Sequence, residues 1–404
     1  MMTIITEQTA PSTADLALEL PIRAAQLLDL LRKNAGQTET DRRVVEENIL
    51  ALEEAGLFKI AVPKRFGGHE ANISTILKVT STLGQACGST AWVSTLTNVC
   101  SWLVGLFPDQ AQRDVFEGAP NARVCGVLAP SSSSVAVEGG LRVTGKWGFA
   151  SGSSHAGWAA LGVPVVDGTG AQVDQGVALI PMTDLSIEDT WYVAGMRGTG
   201  SNTLVAEDVF VPAHRIISVT QAVEGHTATE HKDETLYRSA FVPVSAIVLA
   251  APLLGLVKGA LDHVINSLGK GKGISYTFYD RATDAGSTQI NVALAASLID
   301  SAELHLFRAA DDIDKAAASG EYMDFNTRAR VRMDVGVVAT RCREAMDLLL
   351  SVQGAGSFAE ANPLQQKWRD LETGSRHAVI NPAISSEAYG RALLGVKEQV
   401  TPLI

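Results

Sequence analysis

The stretch GMRGTGSNTLVAEDVFVP (195–212) restricts the fold more than any other part of this chain. Its first half is rich in glycine, which is typical of a loop, whereas Asn202–Val211 is a run of β-favouring residues. Two similar runs precede it, Trp158–Val166 and Gln175–Pro181. Several short runs at such close spacing indicate a small β-domain in the middle of the chain.

Outward from this region, apolar residues recur at the spacing of helices. The clearest case is a seam from Val331 to Leu349, in which apolar residues follow one another at alternating steps of four and three. We predict an N-terminal helical domain over residues 1–120, a middle β-domain over 121–216, a linker over 217–239 and a C-terminal helical bundle over 240–404.

The charge balance excludes one class of partner. The 404 residues include 33 Lys and Arg against 44 Asp and Glu, so the formal net charge is −11. Nucleic-acid binding needs a basic surface, and we therefore expect no nucleic-acid partner. A few local cations are still enough to hold an anionic cofactor.

Metal and membrane sites are not expected from the sequence either. The four cysteines form no CxxC pair, and the eight histidines show no HExxH spacing. The N-terminal stretch MMTIITEQTAPSTADLALEL lacks the basic start and apolar core of a signal peptide. The longest apolar candidate, Val242–Leu256, contains two prolines and is better interpreted as a buried helix than as a membrane span. We therefore expect a cytoplasmic protein.

Four sequence blocks in this order resemble the acyl-CoA dehydrogenase superfamily. They are AVPKRFGG (61–68), GKWGFASG (145–152), the opening stretch 195–212 and LLLSVQGAGSFAEANPLQQKWRD (348–370). The resemblance extends over nearly the whole chain. The resemblance implies a mainly α-helical fold with a central, barrel-like β-domain and a C-terminal four-helix bundle.

The residues after Arg369 distinguish the branches of this superfamily. In the dehydrogenases with a C-terminal base, a catalytic glutamate follows the matching arginine by nine residues, and here that position is Ala378, whose methyl group cannot remove a proton. His377 precedes it. Together with the W-x-F-x-S-G pattern that includes Ser151, this histidine resembles the flavin-dependent monooxygenase branch. Glu234, near the start of the C-terminal block, leaves open a dehydrogenase with a relocated base.

Membership of that branch implies the oxygenase component of a two-component system. Such an enzyme takes reduced FMN or FAD from a separate NAD(P)H-dependent flavin reductase. It then uses O2 to hydroxylate or epoxidise a small phenol- or indole-like substrate through a flavin C4a-hydroperoxide. The cofactor sites that this superfamily shares between subunits also imply a homotetramer, a dimer of dimers. Amine N-oxygenation on the same fold and a non-catalytic flavin-binding scaffold are the alternatives.

The resemblance also assigns candidate site residues. The candidate catalytic residues are His377, which would deprotonate the substrate or accept a proton, and Ser151, whose hydroxyl would lie near the flavin N5. No metal ligands are expected. The candidate substrate contacts are Trp92, Asn98, Cys100 and His377. The candidate flavin contacts are Leu128, Trp147, Phe149, Ala150, Ser151, Arg281, Gln289, Gln353 and Gly354.

Cys100 indicates a particular class of substrate. Many phenol-hydroxylating members have a histidine in a V-H-x-W context, and here the context is Val99-Cys100-Ser101-Trp102. A thiol is a weak hydrogen-bond donor and a poor partner for a phenolate. We therefore expect a neutral heteroaromatic ring, such as an indole, rather than a simple phenol.

Overall fold

The computed structural model describes residues 13–404, in which helices, then strands, then helices follow one another along the chain. Residues 1–12, on which the predicted absence of a signal peptide largely rests, lie outside the described residues. The predicted order of a helical part, a β-domain and a second helical part is confirmed.

Six α-helices form the described N-terminal part. Helix α5 is buried along almost its whole length, because its residues are apolar or small on every side. Helix α4 begins after the cap residue Asn72, whose side chain accepts a hydrogen bond from the Thr75 amide. The helices are α1 (Thr13–Gln26), α2 (Leu28–Thr40), α3 (Glu46–Glu54), α4 (Ile73–Gly84), α5 (Gly88–Val104) and α6 (Asp109–Phe116).

Two four-stranded sheets form the middle part. One sheet has the order β1-β4-β5-β8, in which β1 and β4 are parallel and the other neighbours are antiparallel. The other sheet has the order β2-β3-β7-β6 and is antiparallel throughout. The strands are β1 (Val124–Val127), β2 (Ser132–Val137), β3 (Gly140–Ala150), β4 (Trp158–Val166), β5 (Gln172–Pro181), β6 (Ser186–Glu188), β7 (Asn202–Pro212) and β8 (Ile216–Ser218).

A separate apolar core joins the two sheets. Val143 and Trp147 of β3, Leu161 of β4 and Ile180 of β5 all belong to it and are buried. The Trp147 indole N–H donates to the Gly162 carbonyl at 2.9 Å, so this large side chain is both buried and satisfied. The core therefore anchors β3 firmly up to its end.

Seven further α-helices follow the strands. The apolar seam predicted from Val331 to Leu349 lies within α11 and is buried. The segment 217–239 begins with the last residues of β8 and includes the short helix α7. The helices are α7 (Val219–Val223), α8 (Phe241–Ile247), α9 (Ala250–Leu268), α10 (Gly286–Ser319), α11 (Phe325–Gln353), α12 (Pro363–Gly374) and α13 (Pro382–Leu394).

Two helical stretches are long and apolar enough to cross a membrane by length and composition alone, Phe241–Leu268 and Gly286–Ser319. The first is mostly buried inside the protein, so it is a core element, and it is divided into α8 and α9. The second, α10, exposes apolar side chains, among them Ile290, Leu294 and Leu304. Helix α10 therefore has an apolar face that the described chain leaves uncovered.

The buried side chain of His155 makes folding stability depend on pH. Burial and the nearby Arg43 lower the pKa of His155 to about 4, against the opposing effect of Glu46. An unfolded chain binds this proton near pH 6.5, so stability is lost as the pH falls from about 6.5 to about 4. The loss at pH 5 is of order 1–2 kcal/mol.

We expect the His155→Gln variant to lose less stability between pH 7 and pH 5 than the unmodified protein does. Urea unfolding at each pH gives the two free energies of unfolding for each protein. The comparison uses the pH slope, so a constant effect of the substitution cancels. Identical slopes for the two proteins would show that His155 is not the titrating group.

Candidate active site

The end of strand β3 has an unusual backbone. Its register against β7 shifts between Trp147 and Ala150, and Phe149 takes a positive φ of 65°, which non-glycine residues rarely adopt. The Phe149 ring is 73% exposed and packs edge to face on Trp191, with ring centroids 5.7 Å apart. Because such strain clusters at ligand and active sites, this strand end is a candidate site.

A chain of hydroxyl groups begins at the next polar residue. Ser151 Oγ lies 2.7 Å from Ser201 Oγ, and Ser201 Oγ lies 2.6 Å from Thr199 Oγ1. The Thr199 hydroxyl donates to the Met196 carbonyl at 2.8 Å. All three hydroxyl residues are buried, so the structure itself holds the Ser151 hydroxyl in place.

Met196 connects this chain to the C-terminal helices. Its backbone also has a positive φ, 54°, and its carbonyl accepts a second side-chain hydrogen bond from Trp191 Nε1 at 2.9 Å. Its amide donates to the carboxyl group of Asp370, on α12, at 2.5 Å. Burial raises the pKa of Asp370 to about 7. The loop before β7 is therefore fixed to α12.

Trp92 of α5 and His377, just after α12, lie on the helical side of the same junction. Their ring centroids are 6.1 Å apart. A Cβ on Gly374 would lie 3.0 Å from Met196 Cε and 3.4 Å from Trp92 Cζ3, so the helix end packs closely against both side chains. The structure thus brings two candidate substrate residues, Trp92 and His377, to the loop that holds Ser151.

The strand end also touches α5 directly. A Cβ on Gly152, the residue after Ser151, would lie 3.1 Å from Val93 Cγ1. Val93 follows Trp92 on that helix. The β-domain and the helical part therefore meet at this candidate site, and a group bound here would contact both.

His377 is exposed, yet the surrounding protein affects its titration. Desolvation lowers the pKa of His377, so the imidazole is neutral at neutral pH. An exposed side chain whose pKa is lowered by desolvation fits a recess that water enters. Nδ1 accepts a hydrogen bond from the Val379 amide at 3.3 Å, and in the neutral ring the proton therefore resides on Nε2.

Asn98 and Trp147 lie away from this junction. Asn98 is fully buried, and its side-chain amide donates to the carbonyls of Leu57 and Ser94 and accepts from the amide of Ile60. It therefore fastens α5 to a neighbouring loop, and a contact between Asn98 and a substrate stays a prediction. Trp147 is fully buried in the core between the sheets and has no surface with which to touch a flavin.

Cys100 and Leu128 lie beside strand β1. Cys100 is buried, and its Sγ would be 2.8 Å from a Cβ on Gly126, so the thiol packs against the strand backbone. Burial raises the pKa of this thiol, which keeps it protonated. Leu128 follows the end of β1 and is half-buried, and its carbonyl accepts from Gln175 Nε2 at 3.2 Å. Both remain available as apolar surface only.

The four remaining candidate flavin residues lie in the C-terminal helical part. Arg281 is exposed, and Gln289 donates to the Thr283 carbonyl at 2.9 Å. Gln353 accepts from the Ser267 hydroxyl at 3.2 Å, and Gly354 follows it with a φ of 65°. Within the described contacts, none of these residues touches the residues at the end of β3.

Several residues at the junction were missed by sequence reasoning. Met196, Thr199 and Ser201 lie within the opening stretch, which indicated the fold but no individual role. Arg197 lies in the same stretch. Its Nε is buried without a partner in the described structure, and its one hydrogen bond there, to the Val193 carbonyl, is long at 3.4 Å. An orphaned donor beside Met196 fits a polar group that the chain itself does not supply.

A cavity of about 650 Å³ lies next to the junction. Cys87, Lys367 and Asp370 are among its lining residues, whereas Ser151 and His377 are not. Lys367 Nζ donates to the Gln85 carbonyl at 2.8 Å, and burial lowers the pKa of this lysine to about 8. The described residues contain no group of three His, Cys, Asp or Glu side chains that fits a metal ion.

Comparison with known proteins identifies the family. Residues 27–116 match the model of the acyl-CoA dehydrogenase N-terminal domain, and residues 247–382 match that of the C-terminal domain. The chain is 35% identical over 376 residues to the oxygenase subunit HsaA of a flavin-dependent monooxygenase from Rhodococcus jostii, covering 93% of this chain and 98% of that one. The chain belongs to the flavin-dependent monooxygenases with the acyl-CoA dehydrogenase fold.

Two further similarities extend across this monooxygenase. It is 33% identical over 389 residues to the oxygenase component of an FADH2-dependent resorcinol hydroxylase from Rhizobium sp., covering 93% of this chain and 94% of that one. The structure of XiaF from Streptomyces sp., in complex with FADH2 and glycerol, superposes with a TM-score of 0.91 at 34% identity, covering 97% of this chain and 98% of that chain. The resemblance drawn from the four sequence blocks is confirmed.

Glu234, the residue that left open a relocated dehydrogenase base, is held by another part of the chain. Its carboxylate forms an ion pair with Arg65, a residue of the N-terminal connector. Within the described contacts it touches neither Ser151 nor His377.

Proposed function

We propose that this protein is an oxygenase component that hydroxylates or epoxidises a small aromatic substrate with reduced flavin and O2. One observation carries the proposal. Met196 accepts the hydrogen bond at one end of the hydroxyl chain, whose other end is Ser151, and Met196 also packs beside Trp92, which contacts His377. When bound, the reduced flavin supplies two electrons, so that one oxygen atom enters the substrate and the other leaves as water. A separate NAD(P)H-dependent flavin reductase would supply that flavin.

The residues present fit a flavin, FMN or FAD. The exposed Phe149 ring offers an aromatic surface, Ala150 and Leu128 offer apolar surface, and Ser151 offers a hydroxyl whose orientation is fixed. The unpartnered Nε of Arg197 supports a polar group nearby. Trp147 takes the role of a support beneath the strand. The phosphate end would be held by a neighbouring subunit, through Arg281, Gln289, Gln353 and Gly354.

His377 would orient the substrate by donating a hydrogen bond from Nε2. The Val379 amide occupies Nδ1, and removal of a substrate proton by Nε2 would first require the ring to change its tautomer. A donated hydrogen bond suits an oxygen substituent on the ring. This modifies the sequence-based hypothesis, in which His377 was the base.

The candidate substrate residues favour a flat apolar substrate. Trp92 lies against His377 and offers its ring for stacking, and Cys100 contributes a protonated thiol rather than a proton acceptor. A neutral heteroaromatic ring that carries an oxygen substituent to accept from His377, such as a substituted indole, is therefore our first choice. A phenol is the second choice, because a relative at 33% identity is a resorcinol hydroxylase.

We further propose that the protein is a cytoplasmic homotetramer, and its exposed apolar surface supports association between copies. Tyr276 and Phe278, in the loop that carries Arg281, are fully exposed, and α10 exposes Ile290 and Leu294. Apolar side chains on one part of a surface mark sites of association. A second copy of the chain that covers this surface would also bring Arg281 to a flavin held by the first copy.

We expect the Phe278→Ser variant to form smaller assemblies and to bind flavin more weakly. Fully burying a Phe side chain at an interface contributes roughly 1.5–3 kcal/mol, which is about a 10- to 100-fold change in the association constant. Sedimentation velocity at several protein concentrations measures the assembly. The matched control is Val173→Ser, which removes an exposed apolar side chain from the β-domain. Unchanged sedimentation of the Phe278 variant would exclude this loop from the interface.

The proposed function is tested by coupled turnover. Purified protein, an added NADH-dependent flavin reductase and FMN or FAD are mixed with a panel of indoles and phenols, and each product is identified by mass spectrometry. The expected product is one oxygen atom heavier than its substrate. If every substrate gives only hydrogen peroxide, and an acyl-CoA instead reduces the bound flavin, the protein is a dehydrogenase and the proposal is wrong.

A further inference from the structure

The direction in which each hydroxyl of the chain at Ser151 donates is set by the Met196 carbonyl at the other end. The Met196 carbonyl only accepts, so the Thr199 hydroxyl donates its one proton to it across 2.8 Å. Ser201 then has to donate to Thr199 across 2.6 Å, and Ser151 to Ser201 across 2.7 Å. Because each hydroxyl has a single proton, Ser151 has none left for another partner, and it presents only lone pairs.

The surroundings keep this direction fixed. Ser151, Ser201 and Thr199 are 6%, 3% and 2% exposed, and the described contacts give none of their hydroxyls another partner. The Met196 peptide at the end of the chain is held as well, by Asp370 at its amide and by Trp191 at its carbonyl. A reversed chain would face two oxygen atoms toward each other at 2.8 Å with no proton between them, which is unfavourable.

We propose that Thr199 and Ser201 are positioning residues that make Ser151 a hydrogen-bond acceptor toward the cofactor, so that the site selects reduced over oxidised flavin. N5 of a reduced flavin carries a proton and donates, whereas N5 of an oxidised flavin has only a lone pair. An acceptor fixed at Ser151 therefore binds the first form and opposes the second. This inference rests on the proposed function, since it needs Ser151 beside the flavin.

Such selection suits an oxygenase that does not reduce its own flavin. The reduced form has to be captured from solution, and the oxidised form has to leave after turnover. A freely rotating serine would hydrogen-bond to either form and discriminate little. A serine that already donates its only proton to Ser201 discriminates between the two forms of the flavin without any charged group.

The test is the Thr199→Val variant, which keeps the size of the side chain and removes its hydroxyl. Ser201 then loses its acceptor and its proton is free to turn toward Ser151, which frees the Ser151 proton for the flavin. We expect the Kd for oxidised FAD or FMN to fall about 3- to 10-fold, the effect of one ordinary hydrogen bond. The Kd for the reduced flavin, titrated anaerobically, should stay within about 2-fold.

Two controls separate the ways in which this inference fails. Thr199→Ser keeps the hydroxyl and should keep the unmodified ratio of the two Kd values. Ser151→Ala removes the contact itself and should weaken the binding of reduced flavin. If Ser151→Ala changes neither Kd, Ser151 is not at the flavin, and the proposed site fails together with the inference.

The remaining outcomes test only the hydroxyl chain formed by Ser151, Ser201 and Thr199. If Ser151→Ala alters the ratio but Thr199→Val does not, the flavin site stands and the role of Thr199 and Ser201 is overturned. Equal changes in Thr199→Val and Thr199→Ser would overturn it too, because packing rather than the hydroxyl would then explain both. The inference is supported if the Kd for oxidised flavin divided by the Kd for reduced flavin is lower in Thr199→Val and unchanged in Thr199→Ser.

Discussion

Replacing His377 with alanine should lower the rate of substrate hydroxylation by about 10²- to 10⁴-fold, the range for loss of a positioned proton-transfer or hydrogen-bonding group. The reduced enzyme–flavin complex should still react with O2, because His377 lies on the helical side of the junction, with Trp92, and not at the strand end. Product per flavin oxidised should therefore fall while hydrogen peroxide rises. Rapid quenching with product analysis measures both.

His377→Gln is the matched control that distinguishes two roles for this residue. A glutamine keeps a hydrogen-bond donor but neither titrates nor accepts a proton as a base. If His377 donates from Nε2, as its contact with the Val379 amide indicates, the glutamine variant should recover part of the activity. If His377 is a base, glutamine should be as inactive as alanine.

The pH dependence gives a second readout of the same residue. Desolvation lowers the pKa of His377, so its neutral form persists to a more acidic pH than that of an exposed histidine. Protonation at Nδ1 would abolish the contact with the Val379 amide that orients the ring. Hydroxylation should therefore be constant above the lowered pKa and should fall as the pH drops through it. The glutamine variant should lack this acidic limb. Full coupled hydroxylation by His377→Ala would remove this residue from the active site altogether.

Replacing Ser151 with alanine should raise the rate of hydrogen peroxide release by about 10-fold, the effect of leaving one buried donor without its partner. The partner in question is the N5 proton of the reduced flavin, which Ser151 is proposed to accept. Mixing the reduced complex with O2 and following the decay of its transient absorbance measures this rate. Product per flavin oxidised should fall in parallel.

Ser153→Ala is a suitable control for the Ser151 variant. It removes a neighbouring buried hydroxyl that contacts only the Gly200 carbonyl among the described residues, at 3.4 Å. We expect the decay rate in this control to match that of the unmodified protein. An unchanged decay rate in Ser151→Ala itself would exclude Ser151 from the flavin site.

The fold was predictable because its patterns are local. The alternating steps between Val331 and Leu349 predict a helix with one buried face, and α11 has that face. The β-favouring runs before and within 195–212 likewise correspond to β4, β5 and β7. Local periodicity of this kind shows which side chains form an apolar face, and burial of such faces drives the packing of helices and strands.

The candidate site was predictable only in part, because the sequence does not show which way a side chain points once periodicity is broken. Strand alternation would put Trp147, Phe149 and Ser151 on one face. The register shift after Trp147 and the positive φ of Phe149 instead send Trp147 into the core and Phe149 outward. The orientation of Asn98 could not be predicted for a related reason, since α5 is buried on all sides and offers no polar face by which to orient it.

Two further features lie beyond what one sequence reveals. The hydroxyl chain through Thr199 and Ser201 depends on distances between residues that a glycine-rich loop brings together. Arg281 and Gln289 lie far along the chain from Ser151, and the role that we propose for them depends on a second copy of the protein. Contacts between distant segments, or between subunits, leave no local pattern in the sequence.

The most direct test of the central claim is a single turnover with isotopically labelled O2. The reduced enzyme–flavin complex is prepared without oxygen, mixed with 18O2 and an indole or phenol substrate, and quenched. We expect one labelled oxygen atom in the product and the other in water. A product without label, or label recovered only as hydrogen peroxide with every aromatic substrate tried, would contradict a flavin-dependent monooxygenase acting on aromatic rings.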